Sequence, residues 1–320
     1  MADVYVFDGK GGAQKIDVAE VQDWKPKKGC LWVHLDYSDE EEQHWLTNTT
    51  ELELKPLVIE ALLADETRPR TAAIDDGLLM SLRGVNHNPG ADPEDMVSIR
   101  LWVEKHRIFS TRRRALLSVA DVVAQLESKR GPSDSSQFVI DLIDRLVTRM
   151  CDIVDELDDK TIAFEELIVQ PNRSGSRLDL ADLRRQAISL RRYLAPQREA
   201  LSRLFVEKIS WFSDTSRLHI REVSDQLMRH LEDIESIRDR TKDIQEEMQN
   251  RISEQINMRI YVLSIISAIF IPLGFLTGLL GINIGGIPGA ESPLAFWLFL
   301  GILAVLVGGQ IMWLRSMKCL

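Results

Sequence analysis

Asn283 is the only amide side chain in the stretch FLTGLLGINIGGIPG (275–289), where an apolar run gives way to a glycine-rich turn. An amide oxygen is a neutral, hard acceptor that can bind a divalent cation or, at lower cost, the water shell of one. Gly281 lets the backbone turn beside it, and Gly285, Gly286, Pro288 and Gly289 hold a tight lid without bulky side chains. Gly and Asn are also the residue types of a plain helix C-cap, so the triplet Gly281-Ile282-Asn283 admits both readings. Upstream, stepping about 100° per residue from Asn257 brings Ile260, Ser264, Ser267, Ile271, Gly274 and Gly278 into a stripe about 100° wide. That small and polar face could line an ion path, or it could simply let helix backbones approach closely.

Other groups could bind cations. His219 and His230 lie eleven residues apart, about three helical turns. They are aligned but too far apart to share one metal within a subunit, and only between copies could they form a regulatory zinc site. Asp152, Asp155, Glu156, Asp158, Asp159 and the Glu246-Glu247 pair could concentrate cations in a vestibule, or form an ordinary solvated helix face. The DGKGG run (8–12) lacks the GxxxxGK[ST] spacing of a phosphate loop and reads as a hairpin turn. Neither an HExxH motif nor a catalytic Ser/His/Asp or Cys/His grouping with local spacing occurs, so an enzyme is not expected. Cys30, Cys151 and Cys319 are widely separated and suit free thiols in a reducing compartment.

The elements that would position these residues differ along the chain. Its 320 residues carry a net charge of −10, which argues against general nucleic-acid binding, yet the last sixty or so are almost uncharged. From residue 1 to about 130, short β-branched and aromatic runs alternate with helix-start signals, which predicts an α/β (α+β) cytosolic domain. Its start lacks the features of a secretory signal. Residues 96–111 read as a hairpin turning near 104–107. Helical periodicity fills 138–259, broken at 170–176, with Pro196 expected to kink the second helix. From about residue 214 a stalk helix begins, its seam drawn by Leu227, Leu231, Ile234, Ile244, Met248, Ile252 and Ile256. Continued through Leu280 it would be on the order of 100 Å long.

No charged residue lies between Arg259 and Glu291, and the next after Glu291 is Arg315. Each gap accommodates the roughly 20 apolar residues of a membrane helix. The spacing predicts spans at 260–280 and 294–314, an outer loop at 281–293 whose one charge is Glu291, and a cytosolic tail at 315–320. Arg251, Arg259, Arg315 and Lys318 put both termini on the cytoplasmic side. Two helices cannot enclose an aqueous path, so conduction needs a ring of copies. Span two, with Gln310 as its one clearly polar side chain, reads as an outer, lipid-facing helix.

The stretch FIPLGFLTGLLGIN (270–283) resembles the end of the first membrane helix of the CorA superfamily of divalent-cation transporters, whose signature is Gly-Met-Asn before a short outer loop. Here Ile282 replaces Met. With IGGIPG following, and with ETRPR (66–70), RRYLAPQRE (191–199) and Ser110-Thr111-Arg112, the chain is similar over essentially its whole length to the zinc-transporting ZntB branch. The resemblance implies a homopentamer in the inner membrane with a cytosolic funnel, the stalk surrounding the pore and Asn283 in the selectivity ring. It implies Zn2+ import coupled to protons and no cofactor beyond the transported ion. A hydrated cation would then be held at Asn283, pass collars at Ile271 and Ile260, and leave past Asn257. The alternatives are a CorA-type Mg2+ or general divalent-cation channel and, outside transporters, a membrane-anchored sensor.

Overall fold

The computed structural model describes residues 2–49, 52–65, 68–169, 177–281, 289 and 292–316. It comprises two compact units, Met1–Gln245 and Glu246–Leu320.

The first unit is mixed α/β. Strands β1 (Asp3–Phe7), β2 (Ala13–Ile16), β3 (Leu31–Asp36), β4 (Arg70–Ile74), β5 (Gly77–Gly84), β6 (Val97–Val103) and β7 (Arg107–Arg112) form one sheet in the order β2-β1-β3-β7-β6-β5-β4. All neighbours are antiparallel except β3 and β7. The DGKGG run is the β1–β2 hairpin turn: Asp8 Oδ1 accepts from Lys10 N at 2.7 Å and Gly12 N at 2.9 Å. Those backbone bonds, Lys10's first, hold the Asp8 carboxyl below the usual carboxylate range. Gly29, at φ 120°, precedes β3 where an added Cβ would lie 1.9 Å from the Phe7 carbonyl oxygen, so only glycine fits.

Period-two alternation sends side chains to opposite faces of the sheet. Leu78, Met80, Leu82, Ile99, Leu101 and Ile108 pack under helices on one face. Leu79, Trp102, Phe109, Val33 and Leu35 pack under α1 (Glu40–Asn48) and α2 (Pro56–Leu63) on the other. Helix α1 starts where Asp39 accepts from Glu41 N and Glu42 N; Pro56 occupies the first turn of α2, where its missing N–H costs nothing. The first face is covered by α3 (Leu117–Glu127), α4 (Ser135–Val169), α5 (Arg177–Val206) and the start of α6 (Asp214–Gly281). Fully buried Trp32 anchors that core, its ring 4.8 Å from Phe138 and stacked 5.2 Å from Tyr5. Each such side chain contributes about 1.5–3 kcal/mol by burial.

Helix α5 runs through Pro196 with no break in its assignment, and α6 is a single helix of 68 residues. Within the single chain only part of the α6 seam is buried. Buried positions run from Ser216 to Ile244, whereas Ile252 and Ile256 are exposed, with no other described element covering them. Several acidic residues of the helical region are already ion-paired. Arg240 on α6 reaches Asp158 at 2.6 Å and Glu165 at 2.7 Å on α4, and Glu156 pairs with Lys160 at 2.6 Å. Cys30 and Cys151 are free and buried, and burial pushes both thiols up to about 12; Cys319 lies outside the described residues. The second unit holds the C-terminal part of α6 and helix α7 (Ala295–Ser316), both long and apolar enough to cross a membrane.

Candidate functional site

Every residue of the expected stripe lies on α6, whose uninterrupted helix gives them a common face. Asn257, Ile260, Ser264, Ile271, Gly274 and Gly278 are exposed and Ser267 is half-buried, with Ile260 at 55% and Ile271 at 69% relative exposure. Apart from Ser267, the half-buried positions of this stretch, Ile265, Ile269, Pro272, Leu273 and Leu276, cluster on a different side. On the 100° step that side is centred roughly 155° from the stripe. Helix α7 approaches α6 through Gln310, whose Nε2 donates to the Ala268 carbonyl at 3.5 Å. Six of the seven stripe residues are thus exposed in the single chain, and the Ala268 carbonyl that Gln310 meets lies about 70° from the stripe's centre.

Gln310 gives α7, read from the sequence as an outer, lipid-facing helix, one polar contact with α6. In hydrocarbon a side-chain amide must find a partner, and the backbone oxygen of Ala268 supplies one. A lone glutamine inside an apolar helix of 22 residues was the available signal.

Near the end of α6, an apolar groove of about 670 Å³ lies between Thr277, Leu280 and Gly281 on one side and Leu294, Leu298 and Ile302 on the other. Gly281 is the last residue of α6. Ile282, Asn283 and Glu291, the remaining residues of the expected entrance, lie outside the described residues.

His219 and His230 are not brought together. His219 Nε2 lies 3.7 Å from Asp144, and His230 Nδ1 lies 3.4 Å from Asp233 and 3.8 Å from Asp155. Among the described residues no group of three or more His, Cys, Asp or Glu side chains could hold a metal ion. The zinc-site idea therefore depends wholly on other copies. The His34 imidazole, which contacts Ser110 and Arg112, is fully buried in the sheet and serves its packing.

Residues 27–316 match the family model described as CorA-like Mg2+ transporter protein. The chain is 41% identical over 309 residues, 95% of its length and 91% of the relative's, to the divalent cation transporter CmaX of Pseudomonas aeruginosa. It is 37% identical over 317 residues, 99% of its length and 95% of the relative's, to the zinc transport protein ZntB of Pectobacterium carotovorum. The solved structure of full-length CmaX superposes with a TM-score of 0.87 at 38% identity, covering 98% of this chain and 97% of that one.

Proposed function

Because the chain belongs to the CorA family of divalent cation transporters, we propose that it takes up Zn2+ across the inner membrane, with proton coupling, through a pore lined by α6 in a homopentamer. The anchored-sensor reading gives way to membership of a transporter family, and no enzymatic step is involved. The observation that supports the pore assignment is the α6 stripe, six of whose seven residues are exposed in the single chain. A helix with one apolar face toward a companion helix and one small, polar face elsewhere fits a ring whose axis runs along that second face. Its charge-free surface also fits the membrane: a cation that keeps its water shell needs no buried carboxylate, and the apolar collars at Ile271 and Ile260 gate by excluding water.

In this assembly Asn283 of each copy contributes one amide to an outer ring that holds the cation through its waters, with Gly281 and Ile282 setting the turn and Glu291 the loop's one carboxylate. The ion exits past Asn257. Both chain termini lie in the cytoplasm, and His219 and His230 face neighbouring copies as a regulatory zinc site. Zinc is favoured by the similarity to ZntB and by Ile282 in place of the signature Met. A second reading, transport of divalent cations more broadly, is favoured by the similarity to CmaX.

The test is purified protein in liposomes loaded with a zinc-sensitive dye, with and without an inward proton gradient, and with Mg2+ as competitor. Zn2+ entry enhanced by the gradient and little affected by Mg2+ supports the first reading. Gradient-independent entry that Mg2+ suppresses supports the second, and no flux of either ion overturns both.

A further inference from the structure

Pro272 lies inside α6, where it has no backbone N–H to donate. In an α-helix each N–H bonds to the carbonyl four residues earlier, so the carbonyl that loses its regular partner is that of Ala268. It is the same carbonyl that Gln310 Nε2 on α7 meets at 3.5 Å. Between Trp297 and Trp313, Gln310 carries the one side-chain N–H donor of α7. The one donor of that stretch thus reaches the one interior carbonyl of the α6 span that proline has freed. In hydrocarbon no water can answer such a carbonyl, and a side chain on a neighbouring helix is one of the few substitutes.

Both residues sit where their helices are covered in the single chain. Gln310 belongs to the half-buried row Leu303, Leu306, Val307 and Ile311 on α7, and Pro272 to the half-buried side of α6. The Gln310 Oε1 is buried without a partner among the described residues, so the bond to Ala268 is the side-chain amide's one hydrogen bond among them. The position also bears on transport. A proline ring crowds the carbonyl four residues back and the backbone of the residue just before it. Here these are Ala268 and Ile271, the apolar collar of the proposed ion path. Helix α6 nevertheless runs through this turn without a break in its assignment.

We infer that Gln310 is a positioning residue for ion transport: its amide gives the Ala268 carbonyl the hydrogen bond that Pro272 cannot, and so fixes the turn of α6 that carries Ile271. This rests on the reading of α6 as the pore helix. Without the donor the carbonyl stays unanswered in hydrocarbon, the turn samples other conformations, and the collars of a ring of copies no longer line up.

The experiment is a double-mutant cycle on the full chain, with parent, Gln310→Met, Pro272→Ala and the double variant read by thermal unfolding in detergent and by initial Zn2+ uptake into liposomes. Methionine keeps the length and flexibility of the side chain and removes its donor. Gln310→Met should lower the unfolding midpoint and cut uptake about fivefold, the change in a two-state ratio that one hydrogen bond of ordinary strength makes. In Pro272→Ala the new N–H answers the Ala268 carbonyl, so adding Gln310→Met should change neither readout further. That rescue separates the bond from helix packing, whose loss would be the same in both backgrounds. Equal losses in the two backgrounds overturn the inference, as does parental Zn2+ uptake by Gln310→Met. Should Pro272→Ala by itself abolish uptake, the midpoints close the cycle and the single Gln310→Met variant decides the transport role. A parent that carries no Zn2+ overturns the pore reading instead, and the midpoints still decide the hydrogen bond.

Discussion

Gln197 Oε1 accepts the backbone N–H of Arg83 at 2.7 Å while its Nε2 donates to the carbonyl of the same residue at 3.0 Å. One side chain thereby acts as a strand partner. Strand β4 pairs with β5 only as far as Ser81, so beyond it the backbone of Arg83 has no strand neighbour on that side, and Gln197, buried on α5, takes its place. Gln197→Ala leaves two polar backbone groups unanswered, at about 1–3 kcal/mol each. The expected net loss is about 2–4 kcal/mol, read as a fall of several degrees in the thermal unfolding midpoint followed by tryptophan fluorescence. Gln197→Glu should be nearly as harmful, because an ionised carboxylate cannot donate to the Arg83 carbonyl. A midpoint within a degree of the parent in either variant would show that the bonds are not needed.

This contact also shows where sequence reading stops. Local signals were strong for the β6–β7 hairpin, for α6 and for the two apolar helices, since charge-free length, turn residues and 3.6-residue periodicity each act within a short window. Gln197 could be placed on a helix and inside a family-like stretch. Its partner is 114 residues away in sequence, and no periodicity points to it. The same holds for Arg100, a lone cation in a β-branched run whose burial depends on how α1, α2 and the sheet come together. On α6 the apolar spacing continues through Ile252 and Ile256, whereas the buried positions of the single chain end at Ile244. Periodicity records a face that can be buried, not which chain buries it. For the entrance, the sequence carries the reading at Ile282, Asn283 and Glu291 by itself.

Acid should weaken the first unit through His34. Arg112 Nε donates to His34 Nε2 at 2.9 Å, so that nitrogen is the acceptor and the ring proton resides on Nδ1, 2.7 Å from Ser110 Oγ. Ser110 Oγ also accepts from Trp32 Nε1 at 2.8 Å. A second ring proton would face Arg112. Burial first, and then the Arg112 charge, push the His34 pKa down to about 3. The unfolded chain, near the ordinary value of about 6.5, then binds the proton more readily than the folded one. Stability from this group is complete above about pH 6.5 and is lost as the pH falls from there toward 3, by up to about 1.4 kcal/mol per pH unit. The wild type should therefore lose on the order of 2 kcal/mol more than His34→Asn between pH 7 and 5. Parallel stability curves for the two proteins over that interval would dispose of the argument.

A bulky probe tests the pore assignment. Ile271 lies in the α6 stripe and Ile266 about 130° from its centre, and both are exposed in the single chain. Tryptophan at 271 should occlude a path along the stripe and reduce Zn2+ uptake about tenfold or more, at unchanged protein level in the membrane. Tryptophan at 266, where the ring meets lipid or a neighbouring helix, should leave uptake within about twofold. Equal effects of the two substitutions would mean that the stripe is a packing surface, and the ion path would have to be sought on another face.

Asn283 separates two readings that its residue type leaves open. As an ion-facing amide, it should tolerate neither Ala nor Gly. Both remove the oxygen that holds the hydrated cation, and uptake should fall by about tenfold or more while the oligomer survives detergent extraction. As a helix C-cap, it should behave in the opposite way for Gly. Glycine adopts the left-handed conformation at least as readily as asparagine, so Asn283→Gly would preserve the cap, the fold and the flux, and only Asn283→Ala would lose them. The two variants are compared for initial Zn2+ uptake in liposomes, with size-exclusion profiles as the control for assembly. Loss of uptake in both, with intact profiles, assigns the amide to the ion. Retained uptake in Asn283→Gly assigns it to the turn and moves the search for a selectivity ring elsewhere.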